Sequence, residues 1–253
     1  MTGRPPGGGR GEEPAGRLTH FLARKVRKAI RDFALIQEGD RIAVAVSGGK
    51  DSLGLLHLLR EVQGCLKEQY SLHPLYVVPA ADAPCEGGDA AGLARWIKER
   101  ENLPLGLEPM EPATGQPGRP GQSPCFHCAW RRRKALFLAA DRLGCNKVAL
   151  GHHADDVATT VLMNLFHHGK VEAMEPRLEF FEGHLTVIRP LFYVPEKELA
   201  RLAKVLGFPP ALAPCVAGVA SQRAFMARVL REVEKTQPRA KANLWRAVCR
   251  HGR

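Results

Sequence analysis

The sequence lacks the long apolar run that a membrane-spanning helix needs, and its first residues, MTGRPPGGGRGEEP, lack the apolar segment of a signal peptide. We therefore expect a cytoplasmic protein without a membrane partner. The chain also shows no internal repeat. Its seven cysteines are an odd number, which in a reducing compartment argues against a disulfide framework and favours thiols or metal ligands.

Acidic residues are scarce relative to basic ones: 26 Asp and Glu stand against 37 Lys and Arg, so the formal net charge is +11. A surplus of this size favours a polyanionic partner such as nucleic acid, although a merely basic soluble protein is the alternative. The excess lies in two stretches, between Arg17 and Arg31 and between Ser221 and Arg253. Both ends of the folded part are therefore expected to be basic.

The periodicity of apolar residues divides the chain into four parts. Residues 1–16, rich in Gly and Pro, are expected to be a disordered tail, and residues 17–40 to hold a basic amphipathic helix. Short apolar strands alternate with helices across residues 41–212, which predicts an α/β fold with a doubly wound, mostly parallel sheet. Residues 213–253 are predicted to be basic helices. The predicted strands are Ile42–Val46, Leu72–Val78, Pro104–Met110, Lys147–Leu150 and Leu185–Ile188.

A glycine loop, Ser47-Gly48-Gly49-Lys50-Asp51-Ser52, joins the first predicted strand to a helix. Adjacent glycines let backbone N–H groups approach a phosphate, and the helix N-terminus adds its dipole. The two serines can donate hydrogen bonds, Lys50 can offset phosphate charge, and Asp51 can hold Mg²⁺. The spacing excludes the Walker A loop and the dinucleotide fingerprint. An ordinary turn with Asp51 as a helix cap is the alternative.

A second polar segment, Gly151-His152-His153-Ala154-Asp155-Asp156, follows the predicted strand Lys147–Leu150. Because the carboxyl ends of parallel strands gather at one rim, we expect it to face the same crevice as the glycine loop. Asp155 and Asp156 could then hold Mg²⁺ between phosphates. The alternatives are that these carboxylates cap the next helix, that the histidines are core residues, or that the segment binds zinc.

A Cys-x-x-Cys motif, Cys125-Phe126-His127-Cys128, precedes a basic run of Arg131, Arg132, Arg133 and Lys134, and Cys215 stands alone. One such motif is compatible with redox chemistry, half of a zinc site or chance. The basic run could contact RNA phosphates or serve solubility only. Cys145, among apolar residues, is predicted to be a small core residue.

The glycine loop looks like the SGGxDS signature of the PP-loop ATP-pyrophosphatases, and the second segment is similar to the GHHxDD segment of one branch. With the Cys-x-x-Cys motif and its arginines, the order resembles the tRNA 2-thiocytidine synthetases from about Arg17 to Arg231. The resemblance implies adenylation of a tRNA cytidine, expected at position 32, and replacement of its O2 by sulfur to give 2-thiocytidine.

The resemblance also implies a set of site residues and partners. A [4Fe-4S] cluster is expected on Cys125, Cys128 and Cys215, with Lys50 and Asp51 as catalytic residues and with Asp51 and Asp156 on Mg²⁺. The implied partners are tRNA, bound by Arg131–Lys134 and by the basic terminal helices, and a sulfur donor such as a cysteine desulfurase. The oligomeric state stays open, with a homodimer as one alternative. ATP is expected to contact Ser47, Gly48, Gly49, Lys50, Asp51, Ser52, His152, Asp155 and Asp156.

The sequence departs from the family pattern in three places. Cys215 is followed by Val-Ala-Gly instead of completing a second Cys-x-x-Cys, Ala154 stands where the family has arginine, and Glu172 and Glu175 occupy a usually basic loop. Three rival functions therefore stay open. They are a PP-loop ligase of the lysidine-forming kind, a thiolase using a persulfide on Cys125 or Cys128, and a non-enzymatic RNA-binding protein with structural zinc.

Overall fold

The computed structural model describes residues 12–83, 87–113, 124–211 and 221–251. Within them, one sheet has the strand order β3-β2-β1-β4-β6-β5. Every neighbouring pair is parallel except β5 and β6. The predicted α/β fold with a mostly parallel sheet is confirmed. The strands are β1 (Arg41–Ala45), β2 (Ser71–Val78), β3 (Gly106–Pro109), β4 (Lys147–Ala149), β5 (Arg177–Phe180) and β6 (Leu185–Ile188).

Helices cover both faces of the sheet, as a doubly wound fold requires. In β1, Ile42 and Val44 belong to the buried cluster formed with α1, α2 and α6, and Ala43 between them belongs to the cluster formed with α4. This alternation follows from the two-residue period of a strand. The helices are α1 (Glu12–Asp32), α2 (Lys50–Gln63), α3 (Ala90–Glu101), α4 (Pro124–Arg142), α5 (Ala154–His168), α6 (Glu196–Leu206), α7 (Gln222–Thr236) and α8 (Ala240–His251).

Helix α1 begins earlier than the sequence predicted. Helix α1 starts at Glu12, so residues 12–16 are helical where a tail was expected; residues 1–11 lie outside the described residues. Helix α4 starts at Pro124 and therefore contains the Cys-x-x-Cys motif. Proline is compatible with a first helical turn, since its missing N–H would have no acceptor there.

Strand β5 was not predicted. Its sequence, RLEF, has no continuous apolar run. The strand lies at the edge of the sheet and is only partly buried, so it does not need apolar side chains on both faces. Antiparallel edge strands of this kind are common additions to parallel sheets. Within the described part of the chain, no helix is both long and apolar enough to cross a membrane.

The strand order reverses between β1 and β4, which lie side by side in the middle of the sheet. From β1 the chain continues to β2 on one side, and from β4 it continues towards β6 on the other. A crevice forms at such a switch point, at the carboxyl ends of the strands. The glycine loop and the segment after β4 both start there.

Candidate active site

The glycine loop is held by its own side chains. Gly48 has φ +76°, in the left-handed region that favours glycine. The Ser52 hydroxyl accepts from Ser47 N (3.1 Å) and donates to Gly49 O (2.9 Å). Its one hydrogen is therefore used inside the loop, although the sequence suggested it as a phosphate donor. Gly49, the N-cap, gives no side-chain bond to the first N–H groups of α2, which leaves them to an anion.

Gly151 brings the two predicted motifs into contact. A Cβ built on it would lie 3.2 Å from backbone atoms of Asp51 and of Ser52. The chain after β4 thus packs directly on the first turn of α2. The two motifs, more than ninety residues apart in sequence, form one site, as the sequence predicted.

We expect Gly151→Ala to lower ATP turnover by about tenfold to a hundredfold, because the methyl group would push the segment after β4 away from α2. Overpacking of this kind also destabilises by about 1–3 kcal/mol. Pyrophosphate release and the melting temperature check both effects. Gly64→Ala is the control, since its Cβ would approach nothing nearer than Glu61 O at 3.9 Å. A fully active Gly151→Ala protein would show that the packing is not needed for turnover.

Asp51 combines burial with an unsatisfied oxygen. Its Oδ2 lies 3.0 Å from Lys50 Nζ, which also lies 3.0 Å from Glu196 Oε1. Its Oδ1 is buried and has no hydrogen-bond partner among the described residues; His153 Nε2 lies 3.9 Å away. Burial raises the pKa of Asp51 despite the opposing charges of His153 and Lys50. A buried carboxylate oxygen without a partner is the arrangement that a cation would satisfy.

Asp156 caps helix α5. Its Oδ2 accepts from His153 N (2.9 Å), and its own N–H donates to His153 Nδ1 (3.4 Å), which completes a capping box. Arg223 Nη2, from α7, donates to the other oxygen at 2.8 Å. Burial would raise the pKa of Asp156, but the charge and backbone N–H of His153 and the bond from Arg223 together lower it. The contacts of Asp156 are those of a helix cap, which is one of the alternatives that the sequence left open.

Asp155 is likewise engaged on both oxygens. Oδ2 accepts from Glu196 N at the start of α6 (2.7 Å), and Oδ1 forms an ion pair with Lys241 of α8. Lys241 also pairs with Glu234 at 2.6 Å. The C-terminal helices thus contribute two cations, Arg223 and Lys241, to the rim of the site.

The carboxylates therefore differ in what they can offer a metal. Asp155 and Asp156 would have to exchange existing partners to bind Mg²⁺, whereas Asp51 has an oxygen to give. Among the described residues, no group of three or more His, Cys, Asp or Glu side chains is arranged to hold a metal ion. This is compatible with Mg²⁺ bound through one carboxylate, phosphate oxygens and water.

His152 is a neutral side chain. Burial, together with the charge of Arg189, lowers the pKa of His152 to about 4. Its Nδ1 accepts from Arg189 Nε at 3.3 Å, so the ring proton sits on Nε2. At neutral pH it can donate one hydrogen bond but cannot offset phosphate charge. Arg189, Arg223 and Lys241 were not predicted as site residues, because no motif in the sequence connected them with the site.

The cysteines are only partly described. Cys128 is buried on α4, in the same apolar cluster as Val77 and Met110 at the carboxyl ends of β2 and β3. Cys125 is in the first turn of α4, three positions before Cys128. Cys215 lies outside the described residues. Cys128 is thus on the same rim of the sheet as the glycine loop.

The basic run on α4 is partly neutralised. Arg131 donates to Asp82 (2.8 Å) and to Glu111 O (3.1 Å), and its side chain is 13% exposed. Lys134 pairs with Glu111 at 2.7 Å. The first and last of the four predicted tRNA contacts therefore already have acidic partners.

Comparison with known proteins gives relatives across nearly the whole chain, although no protein-family model matches it. The tRNA-cytidine(32) 2-sulfurtransferase of Geobacter sulfurreducens is 41% identical over 227 residues, covering 88% of this chain and 86% of the relative. That of Delftia acidovorans is 36% identical over 246 residues, covering 92% and 74%.

Among solved structures, the U34-tRNA thiolase NcsA from Methanococcus maripaludis with its [4Fe-4S] cluster matches with a TM-score of 0.75. Its sequence is 26% identical, and the match covers 93% of this chain and 79% of the thiolase. The resemblance noted in the motifs is confirmed. With the glycine loop and the His-Asp segment at one crevice, and with relatives 36–41% identical over most of its length, this chain belongs to the tRNA-cytidine(32) 2-sulfurtransferase family.

Proposed function

We propose that this protein uses ATP to replace O2 of cytidine 32 in tRNA with sulfur, forming 2-thiocytidine. The observation that carries the proposal is the 41% identity to a tRNA-cytidine(32) 2-sulfurtransferase over 88% of the chain. The crevice between β1 and β4, with its preformed glycine loop, is the supporting geometry. A cytoplasmic location and a homodimer stay predictions.

ATP phosphates are proposed to lie on the glycine loop and the N-terminus of α2, where unpaired N–H groups favour an anion. Cytidine O2 attacks the α-phosphorus and the bond to the β-phosphate oxygen breaks, which releases pyrophosphate and leaves AMP on O2. Lys50 would stabilise the negative charge that develops on the departing phosphates. To do so its ammonium must leave Asp51 or Glu196, which it now contacts.

Asp51 is the proposed protein ligand of Mg²⁺, because its Oδ1 is buried without a partner among the described residues. His152 would donate one hydrogen bond through Nε2. Asp155 and Asp156 would hold the wall of the site through their contacts with α6, α7 and α8. Asp156 would join the ion only by giving up Arg223.

Cys125, Cys128 and Cys215 are the proposed ligands of a [4Fe-4S] cluster. The fit rests on the donor chemistry of α4, which carries two cysteines three positions apart, since thiolates suit iron–sulfur ligation. When bound, a cluster with three protein ligands supplies an open iron position for sulfur. A cysteine desulfurase is the proposed class of sulfur donor. The 0.75 TM-score to a thiolase solved with its cluster supports this assignment.

The test is mass spectrometry of tRNA nucleosides from a strain lacking the gene, with and without the gene restored. We expect 2-thiocytidine to disappear and to return on restoration. Anaerobically purified protein should contain iron and acid-labile sulfide and should release AMP and pyrophosphate with tRNA. Thiolation without iron would favour the persulfide rival, AMP release with addition of an amino group would favour the ligase, and zinc without AMP release would favour the non-enzymatic reading.

A further inference from the structure

Helix α1 has two chemically different faces. Its inner face packs into the core, with Leu22, Val26 and Ala29 each 0% exposed. Its outer face is strongly basic. The apolar inner face is already covered by the core, and among the described residues of the helix Phe21, 48% exposed, is the one large apolar side chain that faces solvent. The helix therefore has no broad apolar face with which to enter a lipid surface. We therefore expect a ligand of the outer face to be recognised mainly by charge.

A groove of about 840 Å³ runs along this basic face and is closed on its other side by the turn after α2. Among the described residues that line it, Glu68 is the acidic one. The basic lining residues are Arg24, Lys25, Arg27, Lys28 and Arg31. A concave surface lined by positive charges concentrates the electrostatic field and attracts a polyanion.

Among the residues that the structure describes, three arginines of the α1 groove lack the close acidic partners that Arg131 and Lys134 have on α4. Within the described part of the chain, neither Arg24 nor Arg27 makes an ion pair, and Arg31 is 79% exposed, with Asp32 no nearer than 3.9 Å. Lys28 pairs with Asp32. On α4, by contrast, Arg131 is mostly buried against Asp82. Three arginines of α1 can thus meet phosphate without first breaking a close ion pair.

A continuous line of contacts joins the groove to the candidate active site. Lys28 Nζ lies 4.8 Å from the centre of the Tyr193 ring, and that ring packs on Trp245 of α8 at 5.1 Å. One turn earlier on α8, Lys241 pairs with Asp155 at the rim of the crevice. A ligand lying along α1 would therefore reach the helix that borders the site.

We propose that the α1 groove binds the phosphate backbone of the tRNA substrate, with Arg24, Arg27 and Arg31 as its main contacts. The inference rests on the proposed function, since it takes tRNA as the substrate. The sequence indicated both the Arg131–Lys134 run and the basic terminal helices as tRNA contacts, and the inference places the dominant electrostatic contact on α1 rather than on the α4 run. Backbone contacts of this kind position RNA and carry no sequence information.

The test compares two variants of the full chain: Arg24→Gln/Arg27→Gln/Arg31→Gln, and Arg131→Gln/Lys134→Gln. The affinity for unmodified tRNA is measured across a salt series. The α1 variant is expected to bind tRNA about tenfold or more weakly. The slope of log affinity against log salt, which is negative, should become shallower by about 2–3. The α4 variant should leave the slope nearly unchanged. Melting temperatures of both variants are measured to check that they are folded.

The outcomes separate this inference from the proposed function. An unchanged slope for the α1 variant overturns the groove assignment even if the protein thiolates tRNA. If only the α4 variant shows a shallower salt dependence of tRNA affinity, the main phosphate contacts are Arg131 and Lys134. If the protein forms no 2-thiocytidine but the α1 variant still shows the shallower salt dependence, the groove assignment stands and the proposed reaction is wrong. Binding of anionic vesicles, reduced equally by the α1 variant, would show a non-selective polyanion site and contradict the tRNA assignment.

Discussion

Replacing Asp51 by Asn is expected to lower ATP cleavage by about 10²–10³-fold, because the amide keeps the shape of the carboxylate but loses the charge that would hold Mg²⁺. The variant is chosen for Oδ1, the buried oxygen without a partner among the described residues. Pyrophosphate release in the presence of tRNA, ATP and Mg²⁺ measures the loss. Asp141→Asn is the matched control, since this exposed carboxylate at the end of α4 contacts His184. Unchanged release by the Asp51 variant would remove Asp51 from the mechanism.

The stability of the same variant tests the same assignment. Burial raises the pKa of Asp51 above its ordinary value of 3.8. Between that value and the raised one the folded protein binds more protons than the unfolded chain, so stability falls as pH rises through this window. The full cost is present above the raised pKa. Asp51→Asn should therefore melt at pH 7 at the same temperature as the parent or higher, and should lose the pH dependence between the two values. A lower melting temperature would mark Asp51 as structural.

The meeting of the two motifs was predictable because it follows from topology. Once the chain alternates strands and helices, β1 and β4 must end on one rim, and the residues after them must share a crevice. The sequence therefore located Asp51 and the segment from Gly151 to Asp156 together. The close contact of Gly151 with α2 was not predictable, because it depends on the separation of two backbones rather than on a pattern.

The contacts that occupy the carboxylates were also beyond the sequence. Asp156 meets Arg223 across 67 positions, and Asp155 meets Lys241 from a different helix. Apolar periodicity predicts that helices form, but it does not say which polar side chain on one will reach which on another. For the same reason the neutralisation of Arg131 by Asp82, 49 positions away, was not visible. The predicted tRNA contacts on α4 stay a prediction, now in competition with α1.

Loss of the proposed cluster should leave the nucleotide site undisturbed. We expect Cys128→Ala to lose the iron, the acid-labile sulfide and all formation of 2-thiocytidine, since two thiols cannot replace three. ATP binding should persist, because the glycine loop is held by hydrogen bonds among Ser47, Gly49 and Ser52.

A matched control is available in the same apolar cluster. Cys145 is buried to a similar degree as Cys128, 4% against 6% exposed, so Cys145→Ala removes a comparable buried thiol. It lies at the opposite end of the sheet, before β4, and burial raises the pKa of its thiol, which disfavours the thiolate that a metal needs. Loss of iron in both variants would point to general loosening of the core. Loss in neither, with thiolation intact, would exclude Cys128 as a ligand. Loss confined to Cys128→Ala, with ATP binding retained, is the result that a cluster on α4 requires.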